Sequence, residues 1–290
     1  MMTFNKHVAK PILMAGLFLG AIQLSTAQIK TPAPSPTSTL SQNIGLVETK
    51  IEYSRPSAKG RKVFGEVVPM DKLWRTGANS PTKITFSDSV TVGGKKIAGG
   101  SYAMYTIPGA TMWTVILNGK VVPAWDYKDG EEAVKFTVSP MALPAAVETF
   151  TIGLGNLSST SAELMLSWEK TGISFPISTA PDAKIMADIK KNIDNTGNYW
   201  TAANYYLDNG KDLNQALEWA NKVVEKNKQY WTLHGKAKIL AKLGRCAEAV
   251  AVAKESLAMA EKDDDQAYVL NNKKLIESCP VPATPAGKKK

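Results

Sequence analysis

The segment KITFSDSVTVGGKKIAGGSYAMYTIP, residues 83–108, decides the fold class of the first half of the chain. It contains three short runs rich in β-branched and aromatic residues, 83–87, 89–92 and 101–107, and glycine pairs at 93–94 and 99–100 lie between the last two. Paired glycines supply the positive φ angles that tight hairpin turns require. The stretch therefore predicts antiparallel strands joined by short turns.

Similar runs occur on both sides of this stretch. They lie at residues 46–53, 83–87, 89–92, 101–107, 113–117, 133–138, 148–154, 162–168 and 173–175. In the run 148–154, Phe150, Ile152 and Leu154 alternate with threonine and glycine, so one face of the strand is apolar and the other is not. Short strands at this spacing are typical of a sandwich or barrel. We predict an all-β antiparallel sandwich over residues 42–178.

The composition changes near Pro181 to segments rich in Ala, Leu, Lys and Asn, which predicts an all-α domain over residues 183–279. A 34-residue internal repeat pairs Tyr199, Ala202, Ala203, Tyr206 and Gly210 with Leu233, Lys236, Ala237, Leu240 and Gly244. The period and the small residues resemble tetratricopeptide repeats. About two repeats and a closing helix at 266–278 are fewer than the three units such arrays need, so we expect docking on the sandwich. The whole chain is thus predicted to be an α+β multidomain protein.

The first 27 residues have the parts of a secretory signal peptide: two lysines, an apolar run at 12–22 and the small residues at 25–27. This run is about half of the ~20 residues that a spanning helix needs, and no later run reaches that length, so we expect no transmembrane segment. Export to the periplasm or secretion follows. Residues 28–41 are rich in proline and small polar residues and predict a disordered tether, and residues 280–290 predict a basic disordered tail.

The formal net charge of +9 falls to +7 when the two lysines of the signal peptide are removed. The excess is concentrated between residues 50 and 83, where eight Lys and Arg residues face three acidic residues, a net charge of +5. Two interpretations stay open: a solvated face, or an electropositive patch for an anionic glycan, a lipid headgroup or an acidic protein partner. An exported protein rarely meets nucleic acid, so no nucleic-acid partner is expected.

The predicted β domain contains no histidine and no cysteine between residues 41 and 177. A Ser-His-Asp triad, a thiolate nucleophile and the usual zinc sites therefore cannot be built within it. We expect no metal site and no cofactor, and we favour a protein that is not an enzyme. The alternative is a carboxylate-dependent hydrolase, for which the candidate pairs are Glu66 with Asp71 and Asp126 with Asp129.

Two features of the helical region also have a chemical and a structural interpretation. His234 lies in a repeat helix, and a lone helical histidine without a carboxylate partner favours a structural role. The run Asp263-Asp264-Asp265 lacks the alternating ligands and the glycine of a calcium loop, so we expect it to start the last helix.

The segments 53–65 and 73–79 interrupt the strand pattern and combine arginine with aromatic residues. Arginine beside an exposed tryptophan is suited to a sugar or carboxylate ligand, through bidentate hydrogen bonds and stacking. The candidate ligand-binding residues are Arg55, Arg61, Trp74, Arg75 and Asn79. The alternative is structural: Trp74 packs into the sandwich and Arg75 satisfies buried carbonyl groups.

Cys246 and Cys279 both lie in the predicted helical domain, 33 residues apart. In an exported protein a structural disulfide between them is expected, and two buried free thiols are the alternative. A bond would tie the start of a repeat helix to the end of the domain.

Four segments together resemble the bacterial domain-of-unknown-function family 2911 (DUF2911). They are YSRPSAKGRKVFGEVVP at 53–69, LWRTGANSPTKITFSDSVTVGGKKIAGGSYAMYTIP at 73–108, WTVILN at 113–118 and LSWEKTGISFPI at 166–177. The resemblance covers about residues 41–177. It implies an exported bacterial protein with a compact β domain and a helical tail, and it implies no reaction.

The function expected from these observations is that of an exported binding or interaction protein. Its β-sandwich would bind an anionic or carbohydrate ligand, and its helical repeats would bind protein or dock on the sandwich. The rivals are the carboxylate-dependent hydrolase, acting on envelope glycans, and a structural partner in an envelope assembly.

Overall fold

The computed structural model describes residues 31–279 together with Met1. The rest of the predicted signal peptide, residues 28–30 of the tether and the predicted basic tail lie outside the described residues. Two antiparallel β-sheets over residues 37–178 are followed by six helices over residues 182–278. The predicted α+β fold class, a β-rich first part followed by a helical second part, is confirmed.

The first part contains ten strands. Their bounds are β1 (Thr37–Ile44), β2 (Val47–Ser54), β3 (Thr82–Phe86), β4 (Val90–Val92), β5 (Lys95–Ile97), β6 (Gly100–Ile107), β7 (Trp113–Asn118), β8 (Glu132–Val138), β9 (Met141–Gly155) and β10 (Ser161–Ser178). One sheet has the order β1-β2-β3-β6-β7-β8 and the other β5-β4-β10-β9. The glycine pair at 93–94 forms the β4–β5 turn, with both φ angles positive.

Strand β1 begins at Thr37, so residues 37–41 of the predicted tether belong to the sheet. The strand pairs with β2 from Thr37 opposite Ser54 to Ile44 opposite Val47. It lies at the edge of its sheet and buries only Ile44 completely. A polar sequence is compatible with such an edge position, which is why composition alone indicated a tether.

Strand β10 joins two runs that were predicted separately, 162–168 and 173–175. Its pairing with β9 shifts register around Glu169, whose φ of 54° lies in the left-handed region. A bulge of this kind interrupts the alternation of side chains without ending the strand.

The core between the two sheets is rich in aromatic rings. Trp74 and Trp168 stack with ring centroids 6.0 Å apart and planes at 22°, and Phe150 packs edge-on against Trp74 at 5.1 Å. Phe64 and Trp113 add an edge-to-face pair at 5.0 Å. Trp74 and Trp168 of this cluster also line a groove at the surface.

The second part consists of the helices α1 (Asp182–Thr196), α2 (Tyr199–Asp208), α3 (Leu213–Lys226), α4 (Tyr230–Lys242), α5 (Cys246–Lys262) and α6 (Gln266–Ser278). The repeat predicted from the sequence places Ala203 and Ala237 at fully buried positions, and Gly210 and Gly244 follow α2 and α4 with positive φ. Among residues 31–279, no helix has the length and apolar character needed to cross a membrane.

The sandwich and the helices have separate hydrophobic cores. Lys184 of α1 reaches Asp88 of the β part, with Nζ 3.4 Å from Oδ2. Leu46, in the β1–β2 turn, lines a groove together with residues of α1 and α2. These contacts join the two parts without merging their cores.

Cys246 and Cys279 form a disulfide, with their Cα atoms 5.3 Å apart. Cys246 is the first residue of α5, and Cys279 directly follows α6. The bond therefore joins the end of α6 to the start of α5.

Candidate functional site

Trp74 belongs to the core. Its side chain is buried, with 8% of the residue exposed, and its Nε1–H donates to the carbonyl oxygen of Gly77 at 3.0 Å. Two backbone hydrogen bonds also join Trp74 to Thr106 of β6. Trp74 therefore fixes the neighbouring Arg75 relative to the sheet but is not an exposed stacking platform.

Arg55 and Arg61 form hydrogen bonds within the protein, three to backbone carbonyl groups and one to a side chain. Arg55 donates from Nε to the carbonyl oxygen of Phe150 at 3.1 Å and from Nη2 to Thr151 Oγ1 at 2.8 Å, which links the end of β2 to β9. Arg61 donates to the carbonyl oxygens of Ala58 at 2.9 Å and Ser57 at 2.8 Å. These contacts give Arg55 and Arg61 a structural role in holding the loops.

Arg75 and Asn79 stand close together at the surface. Arg75 donates from Nη1 to the carbonyl oxygen of Asn79 at 3.0 Å. Asn79 donates from Nδ2 to Ser54 Oγ at 3.2 Å and to the carbonyl oxygen of Ser35 at 3.3 Å. The loop is thus held against the ends of β1 and β2, with Asn79 at a φ of 59°.

Two adjacent grooves open on either side of Arg75. The first, here called the apolar groove, has a volume of about 320 Å³, and the second, the loop groove, about 240 Å³. Arg75, Ala124 and Trp125 line both grooves and so form the wall between them. Of the five predicted residues, Trp74 and Arg75 line the apolar groove and Arg75 and Asn79 line the loop groove, whereas Arg55 and Arg61 line neither.

Trp125 is a residue of this site that the sequence interpretation missed. It is 78% exposed and lies on a 3₁₀ turn, Ala124–Asp126, between β7 and β8. A backbone hydrogen bond from the N–H of Asp126 to the carbonyl oxygen of Pro123 holds the turn. The hydroxyl group of Tyr105 donates a hydrogen bond to the carbonyl oxygen of Val122, just before the turn. The sequence offers one indication of its role: Trp125 lies outside every run predicted to be a strand, so no strand position accounts for it.

The carboxylates considered for a hydrolase do not meet in these grooves. Neither Glu66 with Asp71 nor Asp126 with Asp129 lines either one. Hydrogen bonds from Lys135 and then from Tyr127 lower the pKa of the Asp129 carboxyl. A general acid needs a raised pKa, so Asp129 is unsuited to that role.

His234 and the three consecutive aspartates have structural contacts in the helical part. His234 Nδ1 lies 2.8 Å from Asn272 Oδ1, and burial lowers the pKa of the imidazole. Asp265 caps α6, as predicted, by accepting from the backbone N–H of Tyr268 at 3.1 Å, whereas Asp263 is the C-cap of α5. Among residues 31–279, no group of three or more His, Cys, Asp or Glu side chains is arranged to hold a metal ion.

The architecture defines a protein with two antiparallel sheets, a surface site on their connecting loops and a helical second part. Residues 35–177, about half of the chain, match the family model described as "Protein of unknown function (DUF2911)". The match confirms the resemblance predicted from the sequence, and it spans both grooves. Searches of curated proteins and of solved structures find no match.

Proposed function

We propose that this protein is an exported binding protein whose β part takes up an acidic carbohydrate in the two grooves around Arg75 and Trp125. The observation that carries the proposal is the pairing of a 78% exposed indole with a guanidinium group in one groove wall. The indole supports a ligand site because it lies in the wall of a concave groove beside a charged group, an arrangement of apolar surface with few polar groups that is typical of ligand sites.

The two side chains have complementary uses. The face of an indole suits the apolar C–H face of a sugar ring, and a guanidinium fork suits a carboxylate through paired, charge-assisted hydrogen bonds. The bond to the Asn79 carbonyl orients the Arg75 fork, and its other N–H donors have no hydrogen-bond partner among residues 31–279. Such preorganisation reduces the entropy lost on binding.

The segment 50–83 contributes long-range attraction for the same ligand class. It carries a net charge of +5 and includes the loop with Arg75. Fields of this kind raise the association rate of an anionic ligand, and the effect decreases with salt.

Export is supported by the N-terminal sequence and by the disulfide, since disulfides persist in oxidising compartments. The helical part is proposed to bind protein, and the exposed side chains of Trp231 and Leu270 offer apolar surface for it. No observation favours the hydrolase, because the candidate carboxylates lie outside the grooves.

Calorimetric titration with trigalacturonic acid tests the carbohydrate proposal. We expect Arg75→Ala and Trp125→Ala each to weaken binding about tenfold or more, because each removes roughly 1.5 kcal/mol or more of contact. Matched controls are Arg61→Ala, an arginine in the same basic segment that lines neither groove, and Trp231→Ala, an exposed tryptophan of α4. Binding that is equally strong in all four variants, or absent from the unmodified protein, would reject the proposal.

A further inference from the structure

The two grooves beside Arg75 differ in chemistry, and this difference restricts the ligand beyond its charge. The apolar groove is lined by Val67, Val68, Pro69, Leu73 and Ala78 and by indole surface, and its one charged side chain is the shared Arg75. The loop groove adds the polar side chains of Asn79 and Ser80. A ligand that spans the wall therefore meets an apolar and a more polar compartment.

Three indoles line the apolar groove, and the N–H groups of the two buried ones, Trp74 and Trp168, are already engaged. Trp74 Nε1–H donates to the carbonyl of Gly77 at 3.0 Å, and Trp168 Nε1–H donates to the carbonyl of Glu148 at 3.1 Å. A sugar hydroxyl placed in this groove would lose its hydrogen bonds to water without gaining bonds from these donors. A methyl or short alkyl group would gain free energy there by leaving water.

The loop groove suits hydroxyl groups instead. Asn79 uses Nδ2 for Ser54 and Ser35, which leaves its Oδ1 as an acceptor, and Ser80 brings a hydroxyl that can donate or accept. The two compartments meet at Arg75 and Trp125, where the proposed function places the carboxylate and the ring face.

We infer that the ligand is an N-acylated acidic sugar, with the acyl group in the apolar groove, the carboxylate on Arg75 and ring hydroxyls toward the loop groove. This inference rests on the proposed function, and it names the substituent that the acidic sugar must carry. The apolar groove, at about 320 Å³, has room for an acyl group longer than acetyl.

Four monosaccharides separate the contributions by competition against trigalacturonic acid: glucose, glucuronic acid, N-acetylglucosamine, and 2-acetamido-2-deoxyglucuronic acid. We expect 2-acetamido-2-deoxyglucuronic acid, which carries both the carboxylate and the acetyl group, to bind most tightly. One buried methyl group corresponds to about a fourfold gain over glucuronic acid, and replacing acetyl by propionyl should add a similar factor.

Two variants test whether the acyl group and the carboxylate increase the affinity through the contacts proposed for them. Ala78→Leu fills the apolar groove and should abolish the acyl gain, so that glucuronic acid and 2-acetamido-2-deoxyglucuronic acid bind this variant with equal affinity. In Arg75→Ala, glucuronic acid should bind no more tightly than glucose, whereas the acetyl group should still increase the affinity. If Ala78→Leu lowers the melting temperature, the acetyl and propionyl series on the unmodified protein decides the question alone.

The inference is overturned if glucuronic acid binds and the acyl group adds nothing, or if propionyl binds more weakly than acetyl. Failure of the proposed function looks different: no acidic sugar competes, or Trp125→Ala and Arg75→Ala leave binding unchanged.

Discussion

Trp74 and Arg75 are neighbours in the sequence and have opposite environments: the indole of Trp74 is stacked on Trp168 in the core, while the guanidinium of Arg75 stands in the wall between two surface grooves. The backbone of Trp74 is hydrogen-bonded to Thr106 of β6, so the sheet itself sets the position of Arg75. A rigid core residue beside a surface residue gives the site a fixed geometry without requiring the loop to order on binding.

Replacing Trp74 by Ala is expected to lower the free energy of unfolding of the β part by about 3–5 kcal/mol, because it removes a buried aromatic side chain and leaves a cavity. Trp125→Ala is the control, and its effect should stay within about 0.5 kcal/mol since the side chain is exposed. Urea unfolding followed by circular dichroism measures both. Equal losses in the two variants would contradict the assignment of Trp74 to the core and Trp125 to the surface.

Gly93→Ala should destabilise the protein more than Gly94→Ala. Both glycines have positive φ, at 57° and 77°, so both substitutions carry backbone strain of about 1 kcal/mol. A Cβ at Gly93 would also collide with the ring of Phe136, whereas a Cβ at Gly94 meets no heavy atom within 4 Å. We expect an additional cost of about 1–3 kcal/mol at Gly93 from this overpacking, measured as the difference between the two melting curves. A smaller loss at Gly93 than at Gly94 would show that the β4–β5 turn packs differently.

Replacing both cysteines by serine should destabilise the helical part by roughly 3–4 kcal/mol in the loop-entropy model for a closure of 33 residues. Thermal melting at 222 nm, with and without a reductant, should show the same loss in the reduced native protein as in the double variant. If the reductant lowers the melting temperature of the double variant as much as that of the native protein, the loss has a cause other than this bond.

His234 should make the helical part less stable as the pH falls. Its pKa in the folded state is lowered from 6.5, first by burial and also by Lys238, while the hydrogen bond with Asn272 opposes the shift. The unfolded chain therefore binds more protons just below pH 6.5, so this contribution is complete above pH 6.5 and is lost progressively toward the lowered folded-state pKa. Urea unfolding of the native protein and of His234→Gln between pH 5 and 8 isolates the effect as a difference in slope. If the free energy of unfolding changes with pH at the same slope in both proteins, the assignment of this effect to His234 is wrong.

Sequence reasoning located most strands because they alternate in side-chain polarity, as Phe150, Ile152 and Leu154 do in β9. It placed residues 37–41 in a tether because an edge strand with one fully buried residue leaves little alternation to detect. The helical repeat was predicted from small residues at fixed spacing, and the structure buries three of them, Ala202, Ala203 and Ala237.

The site was predicted less completely than the fold. Arg75 and Asn79 were selected from an irregular, basic segment, but Trp125 lies 50 residues beyond Arg75 in a loop without periodicity. The two residues come together only because the β7–β8 loop folds over the loop that follows Trp74. Composition equally indicated Arg55 and Arg61, since it does not distinguish an arginine that binds backbone carbonyls from one that faces a groove.

The most direct measurement of the central claim is an NMR titration of the seven tryptophan indole N–H signals with glucuronic acid, with the Trp125 signal assigned from Trp125→Phe. The account predicts that the Trp125 signal shifts with saturation while the Trp231 signal stays in place, and that Arg75→Ala weakens the response about tenfold. A Trp125 signal that does not move, or one that moves no more than that of Trp231, would contradict the claim that Arg75 and Trp125 form an acidic-sugar site.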